Sequence, residues 1–125
     1  MNPVVHFDIH AEDPLKIKGF YEKVFGWKIQ KTENVNFDYW LISTKEGETA
    51  GINGGLAKVR DKKGVINSIQ VDDIDEAVKA IKESGGKIIS EKMLIPKVGY
   101  SLHFLDPEEN LFYLWQNLKK EEQKK

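Results

Sequence analysis

Two of the chain's three histidines lie in one short stretch, VVHFDIH, at positions 4–10. Read as a strand, it puts Val4, His6, Asp8 and His10 on one face. Asp8 beside His6 could orient the imidazole for proton transfer, since a carboxylate fixes both the tilt of the ring and its proton. The third histidine, His103, sits in YSLHFL, a mixed strand that could turn either face inward. There is no cysteine, which excludes thiolate nucleophiles, thiolate metal sites and disulfides. The glycines of GINGGL, 51–56, lack the G-x-x-x-x-G-K-[ST] spacing and precede no helical pattern. They are expected to mark a bulge or a close backbone approach rather than a phosphate cradle.

A second polar and aromatic set comes from two later stretches. VINSIQV alternates Ile66, Ser68 and Gln70 on one face. LDPEENLFYLWQ, 105–116, reads as a turn and a strand, with Leu111, Tyr113 and Trp115 on one face and Phe112, Leu114 and Gln116 on the other. Each candidate also has a purely structural reading. His6 can be a strand histidine bonded to a neighbour, Asp8 can cap a turn or pair with a lysine, and Tyr113 and Trp115 can be core aromatics. His10, at a strand end beside AEDP, is expected to be exposed.

The elements that must position these residues repeat. EDPLKIKGFYEKVFGWKI and DDIDEAVKAIKESGGKII share an acidic start, apolar positions at helical spacing and a terminal glycine. Asp13 falls on Asp73, Gly26 on Gly86 and Ile29 on Ile89, a constant offset of 60. A strand pattern precedes each helix and three follow it: WKIQKT, FDYWLIST and GINGGLAKV in the first half, KIISEKM, YSLHFL and NLFYLWQ in the second. The plan is βαβββ twice, an α+β fold in one domain over residues 1–116. The repeats run over about 3–59 and 63–116, with a junction near Arg60 to Gly64 and a charged tail, 117–125, expected to be disordered. The apolar connection KMLIPKVG, 92–99, is expected to pack on the core or a partner subunit, or to act as a lid. With 125 residues, 31 % charged side chains and a net charge of -1, the chain reads as an ordinary globular domain. The charge gives no case for nucleic acid or an acidic membrane. The absence of a leader pattern or a long apolar run leads to the expectation of a cytoplasmic protein that meets neither nucleic acid nor membrane.

The segments HFDIHAEDPLKIKGFYEKVFGWKI, VDDIDEAVKAIKESGGKII and FLDPEENLFYLWQ resemble the vicinal oxygen chelate superfamily, which includes glyoxalase I, extradiol dioxygenases, methylmalonyl-CoA epimerase and bleomycin resistance proteins. Glu109 stands where the family's F-x-DP-x-G-N pattern has glycine. GINGGLAKV and MLIPKVGY resemble a branch described as lactoylglutathione-lyase-related. The resemblance implies two βαβββ repeats forming a curved mixed sheet around a cup, and a homodimer. It also implies four inward ligands in metal-dependent members, which map by the offset of 60 to His6, Asn53, Ile66 and Tyr113. Ile66 has no donor atom, Asn53 offers a neutral carbonyl and Tyr113 a phenol, so no metal and no other cofactor is expected there. A rearranged set drawing on Asp8, His10 or His103 is the alternative. The expected ligand-binding residues are His6, Asn53, Ile66, Ser68, Gln70, Tyr113 and Trp115, with His6, Asp8 and Tyr113 as catalytic candidates. The expected ligand is a small carbonyl or aromatic compound. The protein is then a metal-independent enzyme, a metal-dependent lyase, isomerase or dioxygenase with an unusual ligand set, or a sequestering binder of the resistance type.

Overall fold

The structure is a computed structural model that describes residues 1–59 and 63–119. The chain forms two compact units. The first is Val5–Ile66; the second comprises Met1–Val4 and the chain from Asn67 onward.

In the first unit, β1 (Val4–Ala11) leads into α1 (Pro14–Phe25), followed by β2 (Lys28–Lys31), β3 (Tyr39–Ser43) and β4 (Gly54–Lys58). The helix starts where its sequence says it should. The Asp13 carboxylate accepts the Lys16 amide at 3.2 Å and Pro14 occupies the first turn, where no N–H is needed. It stops at Gly26, which takes the left-handed conformation at φ 70° and donates its N–H to the Glu22 carbonyl. The sheet order is β2-β3-β4-β1, with β1 parallel to β4 and the other pairs antiparallel. Ile9, Ala11, Ile29, Ile42 and Leu56 form the core on the face that meets α1, with Phe7, Ile17, Tyr21, Trp27 and Trp40 packed against it. Tyr21 stacks on Trp27 at 4.7 Å between ring centroids, which fixes the helix to the start of β2. The other face of the sheet carries the alternate residues of β1 and β3, which include His6, Asp8 and Tyr39.

β5 (Gly64–Gln70), which enters the second unit at Asn67, leads into α2 (Ile74–Glu83), then β6 (Lys87–Ile88), β7 (Met93–Ile95), β8 (Gly99–Leu105) and β9 (Leu111–Asn117). Asp73 caps α2 by accepting the Asp75 and Glu76 amides. The Gln116 side chain reaches across from β9 and accepts the Ile74 amide at 2.8 Å. Between them they satisfy three of the donors that every helix start leaves open. Val71, Ile74, Leu102, Phe104 and Leu114 form the core beneath α2. β5 runs parallel to β9, and β9 antiparallel to β8.

The α+β plan and both helices stand as the sequence leads one to expect, with four corrections. The connection 92–99 contains a strand, β7, paired antiparallel with β8. KIISEKM is not one strand, because the Ser90 hydroxyl takes the His103 amide at 2.8 Å and interrupts the ladder between β6 and β7. α2 ends at Glu83 with Ser84 as its cap, and Gly85 rather than Gly86 takes the positive φ. β9 continues to Asn117 and Leu118 is buried, so the folded part extends beyond 116. The rest of the expected tail, 120–125, lies outside the described residues, as do positions 60–62 of the expected junction. Among the described residues no helix is long and apolar enough to cross a membrane.

Candidate functional site

Three side chains meet on the face of the first sheet that points away from α1. The Tyr39 hydroxyl donates to Asp8 Oδ1 at 2.5 Å, and His6 Nε2 lies 3.0 Å from the same hydroxyl. His6 Nε2 is also 3.4 Å from Asp8 Oδ1. Asp8 is 8 % exposed, and a carboxylate that far out of water needs hydrogen bonds of this kind. The sequence places His6 and Asp8 together by alternation, and the structure agrees. It adds Tyr39, which the sequence reading missed.

Tyr39 reaches Asp8 because of Gly55. In the strand register Gly55 lies opposite Asp8 on one side and Leu41 on the other. A Cβ at position 55 would collide with the Tyr39 phenol and would stand 2.6 Å from Asp8 Oδ1. The bare backbone is the seat on which the phenol lies. Gly54 does the same on the opposite face, where a Cβ would come within 2.7 Å of the Phe7 ring. The close approach expected of GINGGL is real, and aromatic rings as well as backbone make it. The sequence shows that Tyr39 alternates with Trp40 and that two glycines stand together, but not the strand register that brings the phenol over Gly55.

The other expected residues fall as follows. Asn53 precedes β4, is exposed, and accepts the Thr44 amide on Oδ1 at 2.9 Å, so it is a turn-holding residue rather than part of the last strand. The offset of 60 holds through the helix starts at Asp13 and Asp73. At the helix C-caps it is 58, since α1 has 12 residues and α2 has 10, and after unequal loops it is 58 again between β4 and β9. The C-caps Gly26 and Ser84 obey 58, and so does the pairing: Asp8 sits opposite Gly55, and Ser68 opposite Tyr113. The counterpart of Tyr113 is therefore Gly55.

In the second unit Ser68, Gln70, Tyr113 and Trp115 share the sheet face that points away from α2, as alternation predicted, and Ile66 continues that row along β5. The register places His103 opposite Tyr113 and Ser101 opposite Trp115, which fixes the face of β8 that the sequence left open. His103 and Tyr113 stack at 3.7 Å between centroids. Trp115 packs against Gly99, where a Cβ would come within 2.6 Å of the indole, and its Nε1 donates to Asn117 Oδ1 at 2.7 Å. His10, expected to be exposed, is half-buried.

A divalent cation does not fit the residues that the resemblance would give it. Ile66 cannot ligate, neither Asn53 nor Gly55, the register counterpart of Tyr113, supplies an anionic donor, and Tyr113 is a ring stacked on His103. His6 has one nitrogen committed to Tyr39. Among the described residues no three His, Cys, Asp or Glu side chains cluster as a ligand set, which leaves the rearranged set without support there. A cleft of about 260 Å³ runs along residues 31–38 in the loop between β2 and β3, and one of its walls, Phe37, meets the Tyr39 ring edge-on at 5.9 Å.

Residues 4–114 match the family described as the Glyoxalase/Bleomycin resistance protein/Dioxygenase superfamily, and the chain belongs to it. Solved structures agree on the fold. Methylmalonyl-CoA epimerase in complex with methylmalonyl-CoA and NH4+ superposes with a TM-score of 0.70 at 14 % identity, over 94 % of this chain and 95 % of that one. A superfamily member from Vibrio splendidus 12B01 gives 0.66 at 17 % identity, covering 94 % and 100 %. A hypothetical protein from Bacillus halodurans C-125 gives 0.69 at 15 % identity, covering 95 % and 96 %. No curated protein sequence matches the chain significantly.

Proposed function

We propose that the protein binds a small aromatic or conjugated carbonyl compound without a divalent cation, and that the face carrying His6, Asp8 and Tyr39 is its polar anchor. The observation that carries this reading is the phenol seated on Gly55, which gathers a histidine, a tyrosine and a nearly buried carboxylate on a sheet face that no helix covers. Families of this fold place their chemistry in side chains rather than in the scaffold, so the residues present decide the reading. Ser68, Gln70, Tyr113 and Trp115 are proposed as ligand-binding residues of the second unit on the same ground, a polar and aromatic face turned from its helix. A second reading, metal-independent catalysis, is favoured by the carboxylate-backed imidazole, which is a common arrangement for moving a proton. We also propose a cytoplasmic homodimer.

Binding is tested by thermal shift and tryptophan fluorescence with a panel of such compounds. Micromolar affinity, roughly 8 kcal/mol in all, is the expected outcome, with a clear loss in His6→Ala. Trp115→Phe separates a signal at that ring from those of Trp27 and Trp40. A panel that moves neither melting temperature nor fluorescence overturns the proposal. Elemental analysis of protein purified without a metal-binding tag tests the other half. About one equivalent of nickel, zinc, iron or manganese, lost in His6→Ala, would show a metal site after all.

A further inference from the structure

The hydrogen bonds that join Asp8, Tyr39 and His6 run in one direction. An ionised Asp8 accepts and cannot donate, so the single phenolic proton goes to Asp8 Oδ1. The Tyr39 oxygen is then left with lone pairs alone, and the contact at 3.0 Å requires a proton on His6 Nε2. The contact of 3.4 Å between Nε2 and Asp8 favours the same proton position. Neutral imidazole carries one proton, so His6 Nδ1 is the bare nitrogen. Among the described residues Nδ1 has no hydrogen-bond partner, and no buried polar side-chain atom is unpaired, so this nitrogen meets solvent.

We infer that Tyr39 is a positioning residue that locks His6 in the Nε2–H form and presents Nδ1 outward as an acceptor, so that the site selects ligands bearing an acidic O–H or N–H. This rests on the small-molecule reading above and narrows it. A bare carbonyl has nothing to receive from Nδ1, because both are acceptors, and the phenolic proton is already given to Asp8. A hydroxyl on the same compound fits. Gly55 belongs to the device, since any side chain there moves the phenol off the line between His6 and Asp8.

Two readouts test it. Long-range proton–nitrogen correlation NMR on the full chain reports which ring nitrogen of His6 carries the proton. The Nε2–H pattern is expected in the natural protein, and a shift toward the Nδ1–H form or a mixture in Tyr39→Phe. Calorimetry compares 4-hydroxyacetophenone with 4-methoxyacetophenone, in which a methyl group replaces the donated proton, and with acetophenone, which lacks both. The phenol is expected to bind at least tenfold more tightly than either, and the ratios to fall toward one in Tyr39→Phe and in Gly55→Ala. An Nδ1–H pattern in the natural protein, an unchanged pattern in Tyr39→Phe, or a phenol that binds no more tightly than acetophenone overturns the inference. The natural protein decides both points even if a variant does not fold. If none of the ketones binds, the small-molecule reading falls and the ligand class with it, while the NMR pattern still decides the lock.

Discussion

At the scale of single residues, position 55 has no room for a side chain while the phenol lies over it. Gly55→Ala forces the Tyr39 phenol off its seat and crowds the Asp8 carboxylate. Overpacking of this kind costs about 1–3 kcal/mol, measurable as a fall in the denaturation midpoint with an unchanged slope. His6 and Asp8 were legible in the sequence because strand alternation is local and strict. Tyr39 was not, because what brings it to Asp8 is a pairing across an intervening strand, at a sequence separation of 31. The absence of a side chain on that intervening strand is a feature that composition shows and its purpose does not. Asn53 misled for a related reason. An offset measured over one stretch was carried past a helix that is two residues shorter in the second unit.

At the scale of elements the last hairpin offers the clearest tests. Asp106 accepts the Glu108 and Asn110 amides and the Asn110 side chain, each at 2.9 Å. Those bonds, the Asn110 side chain first, hold its carboxyl below the ordinary value. A lowered folded value means that its stabilising contribution is fully present above the ordinary Asp range near 3.8 and is lost as pH falls through the lowered value. Thermal melts at stepped pH should therefore show Asp106→Asn less stable than the natural protein near neutrality, with the gap closing in acid. Glu109 sits in the same turn at φ 67°, a conformation that a residue with a Cβ adopts at a cost. Glu109→Gly removes that cost and should raise stability by about 0.5–1 kcal/mol after the entropy of glycine is subtracted, read as a rise in Tm. Helix starts and this turn were readable from short motifs, since each is decided within a few residues. β7 was not, because three apolar residues, two of them exposed, become a strand only when the β8 edge is there to pair with.

At the scale of the whole molecule, the proposed dimer is argued from surface. Leu15, Phe20, Val24 and Phe25 on α1 are exposed, as are Met93, Leu94 and Val98 in the second unit. Single exposed apolar residues are ordinary, but groups of neighbours are a common mark of an interface. Sedimentation at micromolar concentration and physiological salt should show a species of twice 14.4 kDa, and a single species at 14.4 kDa would count against it. The α+β plan was legible from the repeat, which constrains the chain at two places at once, and the family from the segments that resemble it. The glycine under Tyr39 has a consequence for descent. Its contact makes the two positions order-dependent, since filling position 55 while the phenol is in place is harmful, whereas filling it after a change such as Tyr39→Leu meets much less resistance. A lineage leaving this arrangement therefore has an open route through position 39 first and a blocked one through position 55. Every substitution of a glycine codon adds a side chain, so the phenol, while it is kept, guards its own seat.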